Sequence, residues 1–127
     1  PDQPGVVLDL PHLTVETVPL DHRIACTGFV FREKSAQPHL LREKLPADVA
    51  VDVLKTLKAG QDVVDASGNV LFAAADYTEP APAPRSYAYC SDTRFNEALV
   101  PYIRGVDTLY HEATFLDDNA LRAGQVY

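Results

Sequence analysis

Three short strings in this chain hold side chains able to do chemistry: Asp21-His22, Ser91-Asp92-Thr93 and His111-Glu112. An imidazole can ligate a metal or move a proton near neutral pH, and a carboxylate can bind a cation or steady a ring. His22, between Leu20 and Ile24, has the options of metal ligand, proton donor, or plain surface or capping histidine. Asp92 stands where an apolar run gives way to a helical pattern, so it can bind a cation, cap the helix or face its positive end. His111-Glu112 can shuttle a proton or steady a phosphoryl oxygen, and a structural pairing at a sheet edge accounts for it almost equally. Cys26, Cys90, His12 and His39 read as core or surface residues. No glycine-rich phosphate loop, nucleophile elbow or complete catalytic triad is present.

All three strings fall at the ends of expected strands, where open α/β sheets place ligands. The runs 5–10 and 13–18 are β-branched and separated by Pro11, and 24–31 is apolar on both alternating sets, as in a central strand covered on both faces, with Gly28 a bulge or a close approach. After a polar stretch, Val49, Val53, Leu54 and Leu57 repeat at helical spacing between Pro46 and Gly60. Val63-Val64 and Val70-Leu71-Phe72 flank the turn formers of 65–69, which predicts a hairpin. Alternating Pro80, Pro82 and Pro84 make a stiff extended connector. Then follow a strand at 87–90, a helix with Thr93 as N-cap and a kink or restart at Pro101, and a strand at 106–110. Strand, helix, strand is the pattern of a right-handed parallel crossover, so the fold class is α/β or α+β.

Composition narrows the function. With 127 residues the chain is one domain or part of one. Its 18 acidic and 11 basic side chains give a net charge of −7, a poor balance for gripping a polyanion unaided. Hydrophobic residues make up 46%, enough for a core, yet no run reaches the ~18 apolar residues of a membrane span. Two unrelated cysteines and no basic-then-apolar leader fit a reducing cytoplasm. The opening Pro1-Asp2-Gln3-Pro4 and the lack of Met lead to the expectation of an excised piece.

Read as strings, the same spots are more specific. Pro19-Leu20-Asp21-His22-Arg23 running into Thr27 to Lys34, then Tyr89-Cys90-Ser91-Asp92-Thr93, then Leu109-Tyr110-His111-Glu112-Ala113-Thr114-Phe115, resemble in that order the ribonuclease Z family of tRNA 3′-processing endonucleases. The resemblance covers nearly the whole chain. It implies part of a metallo-β-lactamase-type αβ/βα sandwich, with 1–127 a single partial domain and 32–85 an inserted, tRNA-gripping arm. It implies zinc, two ions in a complete enzyme, with His22 as a ligand and Asp92 as the bridging carboxylate. His111 and Glu112 would belong to the His-Glu-Ala-Thr box that assists phosphodiester cleavage, His111 as proton donor or phosphate stabiliser. A metal-activated water would attack the phosphorus. Lys55 and Lys58 on the expected helix would meet the tRNA precursor, and the complete protein would be a cytoplasmic homodimer without membrane contact.

The departures are equally concrete. The family's His-x-His-x-Asp-His motif and its final ligand histidine are absent from these residues, so the zinc set is incomplete and the piece alone is expected to be inactive. The frequent Ser-Gly-Asp-Thr appears as Cys90-Ser91-Asp92-Thr93, no Gly-Pro element lies between Leu45 and Gly60, and 120–127 resembles the stretch before the family's His-Ser-Thr segment. Two other functions compete: a hydrolase of small phosphodiesters or aryl sulfates on the same fold, and an inactive interaction fragment.

Overall fold

The computed structural model describes residues 4–114, 119 and 122. In chain order the elements are β1 (Gly5–Asp9), β2 (Leu13–Leu20), β3 (Cys26–Glu33), β4 (His39–Leu40), α1 (Val51–Lys58), β5 (Val63–Val64), β6 (Val70–Phe72), α2 (Ala74–Tyr77), β7 (Thr78–Glu79), β8 (Ser86–Cys90), α3 (Val100–Ile103) and β9 (Thr108–His111). Single 3₁₀ turns lie at Arg42–Lys44 and Glu97–Leu99. The chain divides into two compact units: residues up to Lys34 with those from Pro84 onward, and Ser35–Ala83.

The first unit is a five-stranded mixed sheet in the order β1-β2-β3-β8-β9. Its first three junctions are antiparallel, and β8 and β9 run parallel, as the strand-helix-strand pattern requires. The β-branched residues of β2 and the centre of β3 bury one face, where Val18, Val30, Ala88, Cys90 and Leu99 form the core with Leu20, Ile103 and Val106 packed around them. Gly28 continues the ladder opposite Val18 without a bulge. A Cβ there would stand 2.8 Å from the Tyr89 carbonyl oxygen, so this glycine marks a close approach between β3 and β8.

The other face departs from expectation. The sequence predicts β3 covered on both faces, but Phe29, Tyr89 and Tyr110, opposite one another across three strands, are exposed, Phe29 at 36%. The Tyr89 and Tyr110 rings stack at 5.0 Å and Phe31 stacks on Tyr87 at 6.0 Å. An apolar run on both alternating sets does not distinguish a covered strand from one whose aromatic rings shield each other.

The crossover is shorter than predicted. Asn96 supplies the cap, its Oδ1 accepting from the Ala98 N–H at 2.9 Å, while Thr93 is buried and bonded elsewhere. Pro101 falls in the first turn of α3, where its missing N–H costs no helical hydrogen bond. At the end of β3, Glu33 and Arg85 clasp each other. The Arg85 N–H and Nε donate to Glu33 Oε2 at 2.8 and 3.2 Å, its Nη2 to Oε1 at 2.8 Å, and the Glu33 N–H to the Arg85 carbonyl at 2.9 Å. These hydrogen bonds and the guanidinium charge hold the Glu33 carboxyl at about 2.

The second unit has its own core of Leu45, Leu57 and Ala74, with Leu54, Val63 and Phe72 packed against it. Val53, Leu54 and Leu57 turn one face of α1 inward, and Gly60, at φ 74°, follows the helix as the sequence predicts. The β5–β6 hairpin turns through Asp65, whose carboxylate accepts from the N–H groups of Ser67 and Asn69 at 2.8 and 2.9 Å. Pairing of β4 with β7 joins the two ends of the unit, an element with no sequence signal beyond its two residues a side.

Two outcomes follow from these contacts. Gly28→Ala must push β3 away from β8, lowering unfolding free energy by about 1–3 kcal/mol in a denaturant titration. Glu33 is depressed in the folded state, so its contribution to stability is complete above its ordinary value of 4.5 and is lost as pH falls toward 2. A carboxyl-carbon NMR titration should place its midpoint near 2, and Arg85→Ala should return it to the usual glutamate range.

Candidate active site

The end of β2, the start of β3 and the ends of β8 and β9 all lie at one end of the sheet, because Leu20 pairs with Cys26, Phe29 with Tyr89 and Cys90 with His111. The three polar strings therefore meet there. Their loops are stitched by named hydrogen bonds. The Asp21 N–H donates to Thr93 Oγ1 at 3.0 Å, and the Arg94 N–H donates back to the Asp21 carbonyl at 2.9 Å. The Thr93 N–H donates to Glu112 Oε1, the Glu112 N–H to the Cys90 carbonyl at 3.2 Å, and Thr114 Oγ1 to Glu112 Oε2 at 2.7 Å. Both carboxylate oxygens of Glu112 thus hold backbone and side chain in place, which makes it a positioning residue in this arrangement.

His111 has a defined ring state. Its Nδ1 lies 2.8 Å from the Glu112 carbonyl oxygen, and since a carbonyl only accepts, Nδ1 carries the hydrogen and Nε2 is the atom available for proton exchange with a substrate. Asp92 sits at φ 53°, a left-handed conformation that L residues other than Asn and Asp rarely adopt. Ser91 Oγ donates to its Oδ2 at 3.2 Å. Cys90 lies beneath, fully buried, and burial pushes its thiol up, which keeps it an inert part of the core.

His22 Nδ1 accepts from the Ile24 N–H at 3.3 Å. A ring that ligates through Nε2 normally donates from Nδ1, which an amide N–H cannot receive. Among the described residues no three His, Cys, Asp or Glu side chains converge. His22 and Asp92 are thus two candidate donors, each on its own loop. Lys55 and Lys58 belong to the other unit, on the exposed side of the last turns of α1, where the acidic residues of 35–83 outnumber the basic ones. Phe115 and, apart from Arg122, the stretch 120–127 lie outside the described residues.

Sequence reasoning missed Arg94, which reaches back to Asp21, its Nε donating to Oδ2 at 2.7 Å, and gave Thr93 the wrong role, since it bridges two loops instead of capping a helix. The pair is 73 residues apart in sequence, so no local pattern announces it.

A mixed sheet that gathers its polar loops at the ends of two parallel strands is of mixed α/β class, with those loops where such sheets place ligands. Over the span it covers, the chain belongs to the ribonuclease Z family. It is 50% identical over 121 residues to the Ribonuclease Z of Cytophaga hutchinsonii, covering 95% of this chain and 39% of that protein. It is 42% identical over 128 residues to that of Parabacteroides distasonis and 43% over 126 residues to that of Bacteroides fragilis, covering 42% and 41% of those proteins. The chain thus spans about two fifths of the length of the curated relatives it matches. No protein-family profile matches it.

The strain at position 92 has a measurable consequence. Asp92→Gly should leave thermal stability unchanged or higher, while Asp92→Val, forced into the left-handed region, should cost about 1–3 kcal/mol in thermal or denaturant unfolding.

Proposed function

We propose that this chain is part of an endoribonuclease that removes 3′ trailers from tRNA precursors by hydrolysing a phosphodiester. The observation that carries the reading is the union of a 37–50% identity to proteins named Ribonuclease Z with three polar strings brought to one end of the sheet. In this reading His111 acts as the imidazolium, with a hydrogen on each ring nitrogen: the Nε2 proton passes to the leaving oxygen, and the ring is left as the neutral Nδ1–H form that donates to the Glu112 carbonyl. Glu112 holds the box against the Asp92 loop through Thr93. The sandwich is of metallo-β-lactamase type, and 32–85 is its inserted arm.

Zinc is the proposed cofactor of the whole protein, with His22 and Asp92 each offering one donor and the remainder supplied by residues outside this span. When bound, such ions supply an activated water and neutralise charge on the phosphorus. His22 would have to exchange its Ile24 contact to take part. Cytoplasmic location and a homodimer belong to the same proposal; no helix among the described residues is long and apolar enough to cross a membrane.

A second reading, hydrolysis of small phosphodiesters or aryl sulfates, draws support from the acidic surplus of 35–83, which is unfavourable for a polyanion. Deleting 35–83 from the full-length protein separates the two. Cleavage of a tRNA precursor should collapse while hydrolysis of bis(p-nitrophenyl) phosphate persists; equal loss or equal survival of both activities sinks the arm's role. Charge reversal of Lys55 and Lys58 should weaken precursor binding and flatten its salt dependence, the slope falling by roughly 0.7–0.9 for each phosphate that these lysines no longer neutralise. Unchanged binding removes α1 from the docking surface.

A further inference from the structure

We infer that Arg94 is a phosphate-binding residue of this site, held in position by Asp21 and presenting its terminal nitrogens to an RNA phosphodiester. The inference rests on the proposed ribonuclease reading and adds a residue to which that reading assigned no role.

The geometry points this way in three steps. First, Arg94 is fixed twice to the same neighbour: its N–H donates to the Asp21 carbonyl at 2.9 Å and its Nε to Asp21 Oδ2 at 2.7 Å. Asp21 is fixed in turn by the buried Thr93, whose Oγ1 accepts its N–H. The guanidinium is therefore held against the residue directly before His22, in the loop bonded to Thr93. Second, the ion pair uses Nε alone. No acceptor among the described residues lies on either Nη, and the side chain is 53% exposed. A guanidinium anchored at Nε and open at both Nη atoms keeps a planar pair of donors for a second anion, the fork that suits phosphate oxygens. Third, this end of the sheet is crowded with carboxylates. Asp21, Asp92 and Glu112 all stand on the three loops, so a phosphodiester arriving there needs a cation of set direction. Arg23 is nearby in sequence and exposed, but no partner orients it among the described residues, so it supplies charge without direction.

The two arginines make the test. In the full-length protein, steady-state cleavage of a tRNA precursor is compared for the unsubstituted enzyme, Arg94→Lys, Asp21→Asn and Arg23→Gln, with the melting temperature of each. Arg94→Lys keeps the charge and the backbone bond to Asp21 but loses the fork. Without that one charge-assisted hydrogen bond, KM should rise by roughly tenfold or more with kcat within about threefold. Asp21→Asn should move KM the same way by less, because the fork survives but its anchor weakens. Arg23→Gln should change KM less than about twofold.

An Arg94→Lys enzyme with unaltered KM overturns the inference, as does an Arg23→Gln enzyme with an equal rise, which would make the effect one of charge alone. A marked drop in the melting temperature of Arg94→Lys with unchanged kinetics at lower temperature makes the ion pair a support of the fold and overturns it too. If the unsubstituted protein leaves the precursor intact, the ribonuclease reading itself fails, a result that no arginine variant is needed to see.

Discussion

Thr93 is the residue on which the site depends. Its side chain is 2% exposed, its hydroxyl receives the Asp21 N–H, and its own N–H is given to the Glu112 carboxylate. A buried N–H or hydroxyl without a partner costs about 1–3 kcal/mol, so these bonds resist separation of the loops they join. One small polar side chain thereby fixes the strands' polar ends relative to each other, while the aliphatic core a few residues away fixes the strands themselves.

The arrangement has a clear division of labour. Backbone hydrogen bonds and Glu112 set where the loops stand, and the side chains with reactive atoms, His111 at Nε2 and Asp92 on its left-handed turn, are carried by that frame. The same logic appears at the far end of the sheet, where Asp107 Oδ2 accepts from the Ser86 N–H and hydroxyl at 2.6 and 2.7 Å and pins the start of β8 to the residue before β9. Both ends of the parallel pair are thus tied by side chains, where strand pairing alone is weaker per residue than in an antiparallel ladder.

Much of this was legible in the residues. The β-branched runs of β2 and β3, the amphipathic stripe of α1, the Asp65-to-Asn69 turn and the strand-helix-strand order around Thr93 all speak through short-range periodicity. The meeting of His22, Asp92 and His111 strings at one end of the sheet was legible only as a coincidence of strand ends until the pairing of Leu20 with Cys26 and Cys90 with His111 gave it a geometry. Thr93 misled because a helix cap and a cross-loop bond use the same hydroxyl, and the sequence cannot say which acceptor or donor is near. The exposed rings of Phe29, Tyr89 and Tyr110 misled because hydrophobic alternation records side-chain type and not what covers it.

The clasp of Glu33 with Arg85 and the pairing of β4 with β7 also bear on how the chain finds its fold. β3 and β8 must meet although some fifty residues separate Arg32 from Ser86, and closing so long a flexible loop is an entropic burden that slows strand pairing. Residues 35–83 carry their own core and bring His39 beside Glu79. Once that unit is compact, its two ends emerge together, and a contact of high sequence separation becomes a nearly local one. The β3–β8 junction then closes a far shorter effective loop than its sequence separation implies.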